Sequence, residues 1–277
     1  MITVALGLAA AVVFALGDFA AARVVRRAPV LSVLLWILVV GVVVALPAAL
    51  VTDGLPSGSS EWRAAGLAAI SGVLYVIAFS SLLKGLERGS LSIVAPLTAL
   101  EGAFAAAISF GLGERLSPAT AAALAAAVAG AVLAASERGR RTAAGAPWAL
   151  LAACVFSVTF LLYARADAIA PVSAVAVSRL AALAIVLPLL LVLGGELLPR
   201  PGLRRLAPLP GLGEAFGLIL SATALTSGSV AVASVMIAQF ATFAVILGLV
   251  LFHERPAAHQ LVGVALTIAA VTALALV

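Results

Sequence analysis

Apolar runs of about twenty residues, each ended by charged residues or by Pro and Gly, recur along the whole chain. About twenty helical residues cross roughly 30 Å of hydrocarbon. Barrel strands would be about ten residues long and would alternate apolar with polar positions, whereas these runs are apolar on every face. The pattern therefore predicts an all-α integral membrane protein with ten transmembrane helices. The predicted spans are residues 2–22, 30–51, 63–84, 90–112, 117–135, 147–165, 170–193, 211–226, 229–252 and 256–276.

The first apolar run is predicted to be a retained span. A secretory signal peptide carries positive charges before its apolar segment. Here the first positive charge, Arg23, comes after that segment.

Composition supports a membrane protein, because 65% of the residues are hydrophobic and 10% are charged. Soluble domains have about 45–50% apolar and about 25% charged residues. The net charge of +5 resides mainly in short connections between apolar runs, so we expect no nucleic-acid partner. Cys154 is the single cysteine and cannot form an internal disulfide. We expect no metal and no cofactor.

The distribution of Lys and Arg predicts the orientation, because basic connections stay in the cytoplasm. Twelve lie in the odd-numbered connections and three in the even-numbered ones, which places both termini outside a cell (inner or plasma) membrane. The odd set is Arg23, Arg26, Arg27, Lys84, Arg88, Arg138, Arg140, Arg141, Arg200, Arg204, Arg205 and Arg255; the even set is Arg63, Arg115 and Arg165.

Internal similarity between the two halves predicts a duplicated unit. Residues 88–92 match residues 227–231 at an offset of 139, and residues 113–115 match residues 253–255 at an offset of 140. Ala28-Pro29-Val30 matches Ala170-Pro171-Val172 at an offset of 142. Since five is an odd number of spans, the two units must be inverted relative to each other. We predict units at 1–138 and 146–277, joined by a connector at 139–145.

The stretch from Gly85 to Gly130 resembles the EamA type of the drug/metabolite transporter superfamily. It contains Ala95-Pro96-Leu97, then Leu100-Glu101, then Gly113-Glu114-Arg115-Leu116-Ser117-Pro118 in that order. The resemblance extends over the whole chain. It implies ten helices around a central cavity, and it implies export of amino acids or other metabolites as a common activity.

Ionisable residues in the spans are candidate functional groups, because a charge at mid-membrane costs about 2.5–3.5 kcal/mol on insertion scales. Glu101 lies near the middle of the fourth span and could titrate a proton or bind a substrate amine; the alternative is a structural carboxyl group that holds helices together. Gln239 lies near the middle of the ninth span, where it could face the same cavity or form a buried hydrogen bond.

Arg179 lies near the middle of the seventh span and needs an anion, because arginine stays charged at any physiological pH. Glu101, a lipid phosphate and a substrate carboxylate are the candidates. Asp18 could form an interfacial ion pair with Arg23. Alternatively, Gly17-Asp18-Phe19 followed by Arg23 resembles a subgroup of the same family, which implies a cytoplasmic gate. The hydroxyl groups of Tyr75, Ser157 and Tyr163 are further candidates for substrate binding, although a hydroxyl inside a helix often bonds its own backbone.

Prolines 96 and 188 are expected to break or kink their helices. Unwound backbone near Pro96 would expose carbonyl groups close to Glu101.

These features predict a secondary transporter, with small metabolites such as amino acids exported by alternating access and protons exchanged at Glu101. A lipid or polyprenyl-carrier flippase and a multidrug efflux protein are the alternatives. An enzyme is not expected, because the two histidines, His253 and His259, form no catalytic or metal-binding motif. The expected partners are a small-molecule substrate and membrane lipids, with the chain a monomer or a weak homodimer.

Overall fold

A computed structural model describes residues 1–52, 56–89, 91–135, 143–243 and 257–276. Within these ranges the regular structure is helical and contains no strand. The helices are α1 (Ile2–Val25), α2 (Val30–Thr52), α3 (Ser59–Arg88), α4 (Leu91–Thr98), α5 (Leu100–Gly111), α6 (Pro118–Ala135), α7 (Ala146–Ala164), α8 (Pro171–Val192), α9 (Pro208–Thr226), α10 (Val230–Ile237) and α11 (Ala258–Leu276), with short 3₁₀ turns at Ala143–Gly145 and Pro201–Leu203.

Six helices in the described ranges are long and apolar enough to cross a membrane, namely α1, α2, α3, α7, α8 and α9. Shorter apolar helices form the other four spans: α4 with α5, α6, α10 with the residues after it, and α11. The predicted fold class of ten helices in two five-helix units is confirmed. Ser90, the charged connector residues 137–141 and the 253–255 motif lie outside the described residues.

Two spans differ from their predicted bounds in a way that matters for the site. Helix α3 extends four residues beyond each end of the predicted 63–84, where it includes the charged residues Glu61 and Arg88. Helix α9 begins at Pro208 instead of 211, with prolines in its first turn. Proline is well tolerated there, because the first backbone N–H groups of a helix have no intrahelical acceptor. The earlier start moves Glu214 deeper into the span.

The fourth and ninth spans are each interrupted near their middle. The first break is at Ala99, between α4 and α5, and the second is at Ala238 and Gln239, after which helical backbone resumes at Phe240. Ala99 and Ala238 are 139 positions apart, which is the offset of the repeat. The break is therefore a property of both units.

Proline is not what causes these breaks. Pro96 lies within α4, three residues before the break, and its counterpart in the second unit at the same offset is Val235. Helix α8 likewise continues through Pro188 to Val192. Neither proline ends its helix in the described backbone, so of the predicted break or kink only a kink remains as a prediction.

The main helix contacts join one unit to the other. Helix α1 packs on α9, α3 on α7, α2 on α8, α5 on α10, and α6 on α11. A twofold axis in the membrane plane exchanges the two units. It relates the pair α1–α9 to the pair α7–α3, and it relates each of the other three pairs to itself. The core therefore lies between the units.

Small residues allow the interrupted spans to cross closely at the centre, as is common for membrane helices. A Cβ atom on Gly102 would lie 2.6 Å from the Cβ of Ala238 and 2.7 Å from the carbonyl oxygen of Ser234. A Cβ on Gly213 would lie 2.6 Å from the Cα of Gly17, where α1 meets α9.

Candidate functional site

A cavity lies between α1, α3, α7, α9 and the two interrupted spans. The residues around it leave about 40 Å³ for water-sized molecules. At about 10–15 Å³ for each water, this holds about three water molecules. Its polar lining consists of Asp18, Thr98, Glu101, Thr159 and Glu214; its apolar and aromatic lining consists of Phe14, Tyr75, Phe79, Leu82, Phe156, Phe160, Leu218 and Phe240. The described conformation thus leaves only a small space beside the three acids.

One of the three acids belongs to an ion pair. Arg179 is fully buried, and its Nη2 atom lies 3.4 Å from Oε2 of Glu214. The Tyr75 hydroxyl donates a hydrogen bond of 2.7 Å to the same carboxylate oxygen. The Arg179 guanidinium also lies 3.9 Å from the centroid of the Tyr75 ring. Tyr75, Glu214 and Arg179, here called the central triad, form a charge-neutral unit beside the cavity.

The other two acids face the cavity. Asp18 and Glu101 are 6% and 5% exposed, and among the described residues neither carboxyl group is in an ion pair or a side-chain hydrogen bond. An unpaired carboxylate away from bulk water is costly unless a cation or a proton compensates it. The central triad cannot do so, because Glu214 already balances Arg179. The cavity therefore favours a proton or a cationic group next to Asp18 and Glu101.

Six aromatic rings surround these acids. Tyr75 stacks on Phe79 with the ring centroids 5.1 Å apart, and Phe156 meets both rings edge-on. Aromatic faces attract cations, with about 0.5–2 kcal/mol for each contact. The acidic groups and the aromatic walls of the cavity therefore both favour a cationic ligand.

The structure separates the sequence-predicted candidates into two sets. Asp18, Glu101 and Tyr75 line the cavity. Arg179 contacts it through the central triad. Its anion is Glu214, which is none of the three predicted candidates. The predicted ion pair between Asp18 and Arg23 is not formed among the described residues. Asp18 is buried, and the exposed guanidinium of Arg23 lies 3.9 Å from the centroid of the Phe19 ring.

The second set contains Gln239, Ser157 and Tyr163, which are buried but not among the cavity-lining residues. Gln239 donates to the Val235 carbonyl oxygen at 3.0 Å, which satisfies backbone at the helix break. Ser157 donates to the carbonyl oxygen of Cys154 in its own helix at 2.7 Å. The Tyr163 hydroxyl has no hydrogen-bond partner among the described atoms.

Glu214 is the site residue that the sequence analysis missed. The predicted eighth span began at residue 211, which placed Glu214 near the membrane surface. A usable signal was present, because Glu214 follows Tyr75 by 139 positions, the offset of the repeat. The two side chains occupy equivalent places in the two units and meet in the cavity.

The other acids follow the same rule, with an aromatic residue at the equivalent place of the other unit. Glu101 corresponds to Phe240 at an offset of 139. Asp18 corresponds to Phe160 at an offset of 142, in a stretch where Val13-Phe14 and Ala22-Arg23 match Val155-Phe156 and Ala164-Arg165. All six of the paired residues line the cavity. Each acid of one unit thus corresponds to an aromatic residue at the equivalent position of the other unit.

Ten helices in two inverted units, with ionisable groups in a central cavity, define a multi-pass membrane protein built like a solute transporter. The EamA-like transporter family model matches residues 1–136 and 143–276. The chain belongs to this family, which confirms the resemblance seen in the sequence.

A solved structure titled "Crystal structure of protein" has the same fold, with a TM-score of 0.78 over 99% of this chain and 96% of that chain. Its sequence identity of 19% supports the fold alone. Comparison with curated protein sequences gives no significant match.

Proposed function

We propose that this protein exports small metabolites that carry a protonated amine, amino acids among them, by alternating access and in exchange for protons. One observation carries the proposal: two cavity carboxyl groups, those of Asp18 and Glu101, have no basic partner among the described residues. A protonated amine supplies the missing positive charge. The aromatic walls suit an apolar group attached to that amine.

Proton exchange follows from competition for the same carboxyl groups. When Glu101 and Asp18 are protonated, they no longer attract an amine; when they are ionised, they do. A carrier that alternates between the two sides can therefore bind substrate on one side and protons on the other. The midplane site between inverted units is where such carriers bind their solutes.

Arg179 has a structural role in this proposal. Its charge is balanced by Glu214, so it attracts a substrate carboxylate less than a free arginine would. Recognition then depends on the amine, and amines that lack a carboxylate become candidate substrates.

Proteoliposome flux of a panel of labelled amino acids and simple amines, with and without a pH gradient, tests the proposal. We expect gradient-driven flux in the wild type and loss of the pH dependence in Glu101→Gln and Asp18→Asn. Glu87→Gln is the matched control, because Glu87 is an exposed acid at the far end of α3. Flux of none of these compounds would reject the substrate class. Wild-type pH dependence in both cavity variants would reject the coupling.

Efflux of bulkier organic cations is a second candidate, which the six aromatic rings around the acids favour. Tetraphenylphosphonium is the probe in the same vesicles, because it has a positive charge and no amine. Since it also crosses lipid bilayers unaided, its flux is counted relative to protein-free liposomes. Its transport at a rate above that of every amine would favour this candidate over metabolite export.

A further inference from the structure

A second, basic pocket lies at the end of α1, away from the central cavity. It has a volume of about 590 Å³ and is lined by Phe19, Ala22, Arg23, Arg26, Arg27 and Leu206. The first five residues come from α1 and the turn after it, and Leu206 comes from the connection before α9. We call it the basic pocket.

The charge of the basic pocket is strongly one-sided. Its three arginines are exposed, and no acidic residue is among its described lining. Arg204 and Arg205, also exposed, immediately precede Leu206 in the chain. The pocket therefore attracts anions, with up to five guanidinium groups near it.

The position and the lining favour an amphipathic anion. Helix α1 has 24 residues and ends at Val25, so its last turn lies where the hydrocarbon meets the headgroups. Phe19, Ala22 and Leu206 form an apolar floor next to the arginines. Basic pockets between membrane helices bind the headgroups of anionic lipids.

We propose that the basic pocket binds the phosphate headgroup of an anionic phospholipid, with the start of the acyl chains against Phe19 and Leu206. The bound lipid connects the end of α1 to the segment that leads into α9. These helices also meet at Gly17 and Gly213, next to the cavity residues Asp18 and Glu214. The lipid thus stabilises the helix pair that forms one wall of the cavity.

Binding is measured on the purified full chain by native mass spectrometry and by thermal shift. The probes are phosphatidylglycerol, cardiolipin and, as a neutral lipid, phosphatidylcholine. We expect the anionic lipids to be retained and to raise the melting temperature. Replacing Arg23, Arg26 and Arg27 by Gln should weaken anionic-lipid binding about 100-fold, because each arginine near an anionic lipid contributes roughly fivefold.

The matched control is the double variant Arg63→Gln/Arg165→Gln. Both arginines line another pocket, at the opposite end of the helices, which also contains Asp167. This variant should retain the anionic lipid. Equal loss of lipid in both variants would show general charge attraction and would overturn the proposal.

A further experiment uses sodium phosphate in place of lipid. It distinguishes binding of a lipid headgroup from binding of a free phosphate ion. Millimolar phosphate should stabilise the protein less than micromolar phosphatidylglycerol does. Equal stabilisation would overturn the lipid assignment. Size-exclusion chromatography shows whether the triple variant folds. If it does not, the single variant Arg26→Gln, with an expected loss of roughly fivefold, gives the test.

Discussion

Arg179 is completely buried, and its charge is balanced by a residue from a different helix of the same unit. Removing one partner of a buried ion pair costs about 3–5 kcal/mol, because the remaining charge is left uncompensated. Glu214→Gln should therefore lower the melting temperature strongly. Tyr75→Phe removes only a hydrogen bond to that carboxylate and should cost about 1.5–3 kcal/mol.

Thermal unfolding in detergent measures both changes. The control is Glu196→Gln, which breaks the exposed pair of Glu196 with Arg200 and should cost about 0–1 kcal/mol. The double variant Arg179→Met/Glu214→Gln should recover part of the loss. Equal melting temperatures for Glu214→Gln and Glu196→Gln would contradict the importance of the central triad.

Single residues show clearly how far the sequence predicts the site. Asp18, Glu101 and Tyr75 were identifiable because polar groups are rare in these apolar spans. Glu214 was missed because its depth depends on where α9 begins, and hydropathy alone did not include the first turn with its prolines. The sequence also could not predict the partner of Arg179, since that partner depends on how α8 and α9 pack.

At the scale of helices, the crossing of the interrupted spans depends on Gly102. Any side chain there would meet Ala238 and the backbone of Ser234. Gly102→Val should cost about 1–3 kcal/mol as overpacking and should slow transport. Gly111→Val is the control in the same helix, because no atom lies within 4 Å of a Cβ at Gly111. Thermal melts and vesicle flux compare the two, and similar behaviour of both variants would contradict this crossing.

Glu114 links the end of one interrupted span to the start of the other. Its carboxylate accepts hydrogen bonds from the hydroxyl groups of Ser109 and Ser229 and a longer one, 3.4 Å, from the backbone N–H of Ala231. A carboxylate at the N-terminus of α10 satisfies free N–H groups and complements the helix dipole.

Glu114→Ala should therefore destabilise the protein by about 0.5–2 kcal/mol. Arg115→Ala, a change in the neighbouring exposed residue, should have little effect. Thermal unfolding again measures the difference. A larger loss in the Arg115 variant would reject this role of Glu114.

The helices themselves were largely predictable, because a span must be apolar and about twenty residues long. The breaks at Ala99 and Ala238 were not predictable, because no residue type marks both of them. Proline lies near the first break and is absent from the second. Both breaks lie where α5 and α10 cross, so tertiary packing is their most direct explanation.

At the scale of the whole molecule, the distribution of Lys and Arg predicts both termini outside the cell membrane. A C-terminal alkaline phosphatase fusion should therefore be active, whereas a C-terminal green fluorescent protein fusion should be dark. The same reporters placed in the 139–145 connector should give the opposite result. A fluorescent C-terminal fusion would contradict the predicted orientation.

The duplication was visible in the sequence because short motifs recur at offsets of 139 to 142. The inverted orientation of the two units then follows from an odd number of spans in each unit, whereas the pairing of the helices comes from their packing. What the motifs do not show is the acidic content of the cavity, because Asp18, Glu101 and Glu214 stand at positions where the two units differ.

This difference has an energetic consequence. If both units were identical, the inward-open and outward-open forms of the proposed cycle would be related by the twofold axis and equal in free energy, apart from the membrane around them. Asp18 and Glu101 belong to the first unit and Glu214 to the second, each opposite an aromatic ring. Because the two forms of that cycle place these charges differently, we expect their populations at rest to be unequal. A membrane potential, which acts with about 2.3 kcal/mol on each charge moved through 100 mV, adds to this bias.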